Sequence, residues 1–248
     1  MLRAFADGQL FGEVLGELPA RVVGLHCWRR DRHDLEPVLR GLDAVSLDLP
    51  GFGASPIPPA AWGSHDYASL LNDALPEMAN RPVVVVAHSF GGRVAVCAAA
   101  ARPDLYAGLV LTGVPLLRRT GAVKVPRQLR IARRLRRWHL VSAERVEELR
   151  ERHGSDDYKQ ATGVMRDIFV RLVNESYEAE LASLECPVRM VWGTDDTAAP
   201  LAMAETARTL CKDATLEALH GVGHDVPRHA TDRLRTTVDA LVTTSCPE

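Results

Sequence analysis

The stretch "VVVVAHSFGG", residues 83–92, passes from strand chemistry to helix chemistry through a single serine. Four valines suit a strand buried on both faces. The segment that follows, "RVAVCAAAA" (93–101), is rich in good helix formers. A strand that turns so abruptly into a helix forces its turn residue into a strained backbone conformation. Neighbours two positions before and after must be small to avoid collision, and here they are Ala87 and Gly91. The hydroxyl of Ser89 is then expected at the carboxyl end of the sheet, where open α/β sheets bind ligands. The unpaired N–H groups of a helix starting near Gly91 favour negative charge at the same point. An N-cap serine opening an ordinary helix is the plainer alternative.

The rest of the chain repeats this strand–helix rhythm. Apolar runs at 21–26, 44–48, 83–87, 108–112, 188–192 and 215–219 read as strands. Helical patterns fall at about 32–41, 66–79, 91–102, 201–211 and 228–243. The first fifteen residues suit a short antiparallel hairpin. Such alternation predicts an α/β fold, a mostly parallel central sheet covered by helices on both faces. From about 116 to 182 no strand pattern appears. There, Val164, Met165, Ile168, Phe169, Leu172 and Val173 form an apolar stripe at helical spacing, which is expected to pack on the body of the protein. The division expected is a core segment 1–115, a helical cap 116–182 inserted after the sixth strand, and a second core segment 183–248.

A serine is a weak nucleophile and needs a base with a group to orient it. "VRMVWGTDDTAAP" (188–200) is a strand, a glycine turn and two acids. "LEALHGVGHDVP" (216–227) is a strand followed by a loop holding His220 and His224. Serine, acid and histidine therefore follow three strands in that order, and all could converge at one edge of the sheet.

These motifs resemble those of the α/β-hydrolase-fold superfamily, in particular serine hydrolases with a helical cap. The resemblance rests on "LHCW" (25–28), "DLPGFGAS" (48–55), "AHSFGG" (87–92), "GTDDTAAP" (193–200) and "GVGHDVP" (221–227), and runs over nearly the whole chain. It implies Ser89 as nucleophile, His224 as general base and acid, and Asp196 as the orienting acid, with Asp195 the adjacent contender. It implies an oxyanion hole from the backbone N–H groups of Phe90 and Trp28. His26-Cys27 stands where the family commonly has His-Gly, so the shape of this donor loop is open. Asp48 and Ser55 are expected to be structural, His220 to support its loop, and His88 to pack or hydrogen-bond. Trp28 suits either a substrate wall or plain packing.

The implied chemistry is cleavage of a carboxylic ester or related acyl bond. Hydrolytic C–C cleavage with the same three residues, or a non-catalytic binding protein on this fold, are the alternatives. No cofactor or metal is required. The five cysteines are scattered with no CxxC pair, which suits reduced thiols in a cytoplasm rather than a zinc site or disulfide frame. The first residues show no secretory signal pattern, and no apolar run is long enough to span a bilayer. A net charge of −2 gives no field to recruit nucleic acid or an acidic membrane. The expected partner is a small-molecule acyl substrate; oligomeric state is not encoded legibly. The cluster Arg127, Arg130, Arg133, Arg134, Arg136 and Arg137 reads as the solvated face of a cap helix, with Ile131, Leu135 and Trp138 on its packed face.

Overall fold

The computed structural model describes residues 1–118 and 156–245, with 131, 134–136, 138, 141 and 142 between them. Its eight strands are β1 (Leu2–Phe5), β2 (Leu10–Val14), β3 (Val22–Leu25), β4 (Ala44–Asp48), β5 (Val83–His88), β6 (Tyr106–Thr112), β7 (Val188–Gly193) and β8 (Ala214–Leu219). They form one sheet in the order β1-β2-β4-β3-β5-β6-β7-β8. The pairs β1–β2 and β2–β4 are antiparallel, and all other pairs are parallel. The expected hairpin at the amino end is thus the edge of an otherwise parallel sheet.

The described helices are α1 (Glu36–Leu39), α2 (Ser64–Met78), α3 (Phe90–Ala101), α4 (Asp156–Gln160), α5 (Gly163–Leu172), α6 (Glu178–Ser183), α7 (Leu201–Leu210), α8 (Val226–His229) and α9 (Thr231–Ser245). The valine run of β5 shows how they clothe the sheet. Val83, Val85 and Ala87 belong to one core with α2, α3 and α7. Val84 and Val86 belong to a second core with residues of α1 and α9. Alternate side chains of one strand thus feed two apolar layers, which is why the run has no polar alternation. No described helix is long and apolar enough to cross a membrane.

Between β6 and β7 the described elements are α4, α5 and α6, all helical. The apolar stripe packs through α5: Ile168 and Leu172 are buried, while Val164, Met165 and Phe169 lean on the main core. Val173 departs from the expectation; it caps the helix and is exposed, so the stripe ends at Leu172. This helical segment is tied down by Tyr177, whose backbone N–H donates to the Leu116 carbonyl at 3.0 Å and whose hydroxyl lies 2.7 Å from that of Ser64. Of the arginine cluster, Arg127, Arg130, Arg133 and Arg137 lie outside the described residues. Ile131 and Trp138 are exposed, so the packed face expected for that helix is not found at these two positions.

The helix expected at 32–41 is replaced by a 3₁₀ turn, Arg32–Asp34, and the single turn α1. The reason is competition for its polar groups. The Arg32 N–H donates to Asp48 at 2.7 Å, and the Asp34 carboxylate is drawn inward by the Cys27 N–H at 2.9 Å. Asp48 also accepts from the Ala54 N–H, and Ser55 joins the Asp48 carbonyl to the Phe11 N–H. Both residues therefore fasten the β4 loop to its neighbours.

Close packing beneath Ser89 sets a steric limit. A Cβ at Gly91 would lie 2.4 Å from the Leu25 carbonyl oxygen, a backbone atom that cannot yield cheaply. Gly91→Ala would gain about 1 kcal/mol of helix propensity but incur an overpacking cost of about 1–3 kcal/mol or more. A net loss of stability is expected, read as a lower urea midpoint. A midpoint equal to or above wild type would contradict this packing.

Candidate active site

Ser89 sits between β5 and α3 with φ 51° and ψ −107°, a left-handed conformation that a non-glycine residue adopts at a cost of about 1–3 kcal/mol. Its N–H is anchored to the Thr112 carbonyl at 2.9 Å, and the next turn is pinned by the Gly91 N–H donating to the His26 carbonyl at 3.1 Å. The strain is paid by these tethers and by the buried helix they start. The hydroxyl is lifted from the sheet, with Ser89 8% exposed.

His224 and Asp196 meet this hydroxyl. The His224 Nε2 lies 3.0 Å from Ser89 Oγ, and its Nδ1 lies 2.8 Å from Asp196 Oδ2. The other carboxylate oxygen, Oδ1, accepts the backbone N–H groups of Ala198 and Ala199, each at 2.8 Å. A carboxylate so satisfied accepts at Oδ2, which sets the Nδ1–H tautomer of His224 and leaves Nε2 free to accept from the serine. The Asp196 side chain is fully buried. Asp195 faces elsewhere: its carboxylate accepts from the Thr194 hydroxyl, and its backbone N–H donates to the Val222 carbonyl.

Two glycines let these loops approach. A Cβ at Gly193 would fall 2.1 Å from the Val222 carbonyl oxygen, so the acid loop can touch the histidine loop only without a side chain there. Gly113, at φ 60°, faces the His224 ring, and a Cβ would come within 3.0 Å of it. His220 does not support its loop as expected; it is exposed, with no side-chain hydrogen bond among the described residues. The loop is held instead by the Gly221 N–H donating to the Thr194 hydroxyl.

Burial disfavours the charged form of His224, but its hydrogen bonds to Asp196 and contact with Cys27 outweigh that. Its pKa therefore lies above the ordinary histidine value of 6.5. Cys27 Sγ is 4.0 Å from His224 Nε2, so the thiol stands beside the imidazole.

The loop after β3 carries Cys27 where glycine is common, yet the left-handed residue of that loop is Arg29, at φ 61°. The cysteine accordingly fits without positive-φ strain. His26 holds this loop: its Nε2 accepts from the Leu49 N–H at 2.9 Å, so Nδ1 carries the proton and donates to the Cys27 carbonyl at 2.6 Å. Burial lowers the His26 pKa, in keeping with a neutral ring. The backbone N–H groups of Trp28 and Phe90 have no acceptor among the described residues. The Trp28 indole packs against Phe52, Phe90 and Phe169 at centroid distances of 4.9, 5.3 and 5.3 Å, joining the β4 loop, the turn at the serine and α5 in one aromatic wall.

Sequence reading missed Arg30, Asp34 and Asp225. Arg30 donates to Asp34 at 2.6 Å and to both carboxylate oxygens of Asp225 at 3.0 and 2.7 Å. His88 Nδ1 lies 2.9 Å from Asp34 Oδ2, and its Nε2 lies 3.0 Å from the His224 carbonyl oxygen. The residue types of two groupings, Asp34–His88–Asp225 and Cys27–His88–His224, could bind a metal ion. Their ligand atoms are already spent: both His88 nitrogens are hydrogen-bonded, Arg30 occupies both carboxylates, and His224 serves Asp196 and Ser89.

The chain matches the model of the alpha/beta hydrolase family over residues 22–237. It is similar to lipase LipV of Mycobacterium tuberculosis, 42% identical over 100 residues, which is 38% of this chain and 36% of that protein. It is also similar to esterase Rv0045c of the same organism, 37% identical over 102 residues, or 38% and 33% of the two chains. The alignments thus span about a third of these relatives' length. Among solved structures, the esterase EaEST from Exiguobacterium antarcticum aligns with a TM-score of 0.74 at 18% identity, covering 98% of this chain and 99% of that one. A match to the family model over most of the length, on an eight-stranded sheet with this topology, establishes that the chain belongs to the alpha/beta hydrolase family.

Proposed function

We propose that the protein is a serine hydrolase cleaving a carboxylic ester or related acyl bond through an acyl-enzyme intermediate. The observation that carries this reading is the continuous hydrogen-bond path from Ser89 Oγ to His224 at 3.0 Å and from His224 to Asp196 at 2.8 Å. The names of the curated relatives, a lipase and an esterase, point to the same bond type. The acyl donor is a small-molecule substrate, handled in a cytoplasmic protein that needs no cofactor, metal or nucleic acid.

The steps follow from the donors and acceptors at hand. His224 Nε2 takes the Ser89 proton as Oγ attacks the substrate carbonyl. The developing oxyanion lies between the N–H groups of Phe90 and Trp28; one such donor is worth about 3–4 kcal/mol in acyl transfer. Asp196 stabilises the imidazolium without taking its proton. His224 then protonates the leaving alcohol or thiol, and the acyl group remains on Ser89. Water, deprotonated by His224, releases the acid and restores the serine. The aromatic wall of Trp28, Phe52, Phe90 and Phe169 is the apolar surface beside this path, with Phe169 supplied by the cap. In this reading residues 116–182 are the cap over the site, and 1–115 with 183–248 are the catalytic core.

Three outcomes test the reading. Wild-type protein is expected to hydrolyse p-nitrophenyl esters and take up a fluorophosphonate probe, while Ser89→Ala loses labelling and at least ~10³-fold in kcat. Labelling that persists in Ser89→Ala contradicts the assignment. Asp196→Asn is expected to lower kcat by about 10⁴-fold, with Asp195→Asn close to wild type; the reverse ranking would move the acid to Asp195. Because His224 acts as a base only when neutral and its pKa is raised above 6.5, activity should fall on acidification with a limb above that value. A kcat/KM profile flat down to pH 5 would be inconsistent with His224 as the base.

A further inference from the structure

His88 is fully buried, as is the Asp34 carboxylate it meets. Its two ring nitrogens both face acceptors: Asp34 Oδ2 at 2.9 Å and the His224 carbonyl oxygen at 3.0 Å. A carbonyl can only accept. A carboxylate that takes the Cys27 N–H at 2.9 Å on one oxygen and Arg30 at 2.6 Å on the other is held as an anion. Either neutral tautomer of His88 would set a ring lone pair against one of these oxygens. Both contacts are satisfied together only when the ring carries both protons and a positive charge.

That charge sits against His224. The two imidazole centroids are 5.1 Å apart. Among the described residues, the charged and titratable groups around His224 are Asp196 from the acid loop, Cys27 from the loop after β3, His88 from the end of β5, and Asp225 on its own loop. Arg30 and Asp34 lie behind His88 and Asp225. Asp196 draws a proton onto His224; a cation at His88 opposes it.

We propose that His88, held by Asp34, is a positioning residue of His224: it fixes the histidine loop by its backbone carbonyl and, as a buried cation, reduces the ring's hold on a proton. The proposal rests on His224 being the base of the reaction. A base whose pKa is driven far above the working pH is protonated and idle, so a fixed positive charge beside it keeps the neutral form populated. The same Asp34 carboxylate holds the Cys27 N–H, one residue before the Trp28 donor. One ion pair thereby braces both the base and the oxyanion loop.

The test is the pH dependence of kcat/KM for p-nitrophenyl acetate in wild type, His88→Gln and Ser89→Ala. Glutamine can still donate to the His224 carbonyl but carries no charge. The acid limb in His88→Gln is expected to move up by about one pH unit, with fluorophosphonate labelling retained. A merely structural role would lower the plateau without moving the limb, and an unmoved or lowered limb overturns the proposal. Activity surviving in Ser89→Ala would instead overturn the hydrolase reading, so the two failures are separable. Should His88→Gln fail to fold, nitrogen-15 NMR of histidine-labelled Ser89→Ala protein decides: a doubly protonated His88 ring at about pH 7–8 supports the cation, and a neutral ring overturns it.

Discussion

The backbone of Ser89, bent to φ 51° between a buried strand and a buried helix, is the constraint on which the site depends. A relaxed residue there would lay the hydroxyl along the sheet. The turn keeps its strain because both sides are over-determined. Behind it, β5 is paired with β3 and β6 along its length; ahead, α3 is packed into the larger core. Tethers from Ser89 to Thr112 and from Gly91 to His26 then leave the turn a single shape. The same packing explains the small residues on either side, since Gly91 has the Leu25 backbone where a Cβ would go.

Every other part of the site is arranged relative to that hydroxyl by loops that leave the sheet at its carboxyl edge. The β7 and β8 loops touch because Gly193 has no side chain, which brings Asp196 and His224 together. The β3 loop is set by His26 and Asp34, which hold the Cys27 carbonyl and N–H. Below these contacts, Arg30, Asp34, His88 and Asp225 form a hydrogen-bonded polar layer. A low-dielectric interior makes such a layer costly if any member is unpaired and rigid when all are satisfied. Here it braces both the His224 loop and the loop after β3.

How far this was legible in the sequence depends on distance along the chain. The strand–serine–helix turn was readable because valines, Ala87 and Gly91 all lie within a few residues of Ser89. The hairpin, the parallel strands and the helical segment before β7 followed from local pattern as well. Asp196 and Asp195 could be ranked only by motif spacing, because what separates them is which carboxylate reaches two backbone N–H groups of the following turn. The Arg30–Asp225 and Asp34–His88 contacts had no local signal; they join residues 195 and 54 positions apart. That long-range demand is also what broke the helix expected at 32–41, turning Asp34 inward. His220 misled for the opposite reason: a histidine beside turn glycines looks supportive, yet the Thr194 hydroxyl does that work.

In the mechanism we propose, a covalent bond forms at Ser89 Oγ with the new oxyanion facing the Trp28 and Phe90 N–H groups. The most direct measurement is a crystal structure of the protein after reaction with a fluorophosphonate. The account predicts phosphorus on Ser89 Oγ and a phosphonyl oxygen within hydrogen-bond distance, about 2.7–3.1 Å, of both backbone nitrogens. An adduct on another residue, or one whose oxygen turns away from both N–H groups, would contradict it.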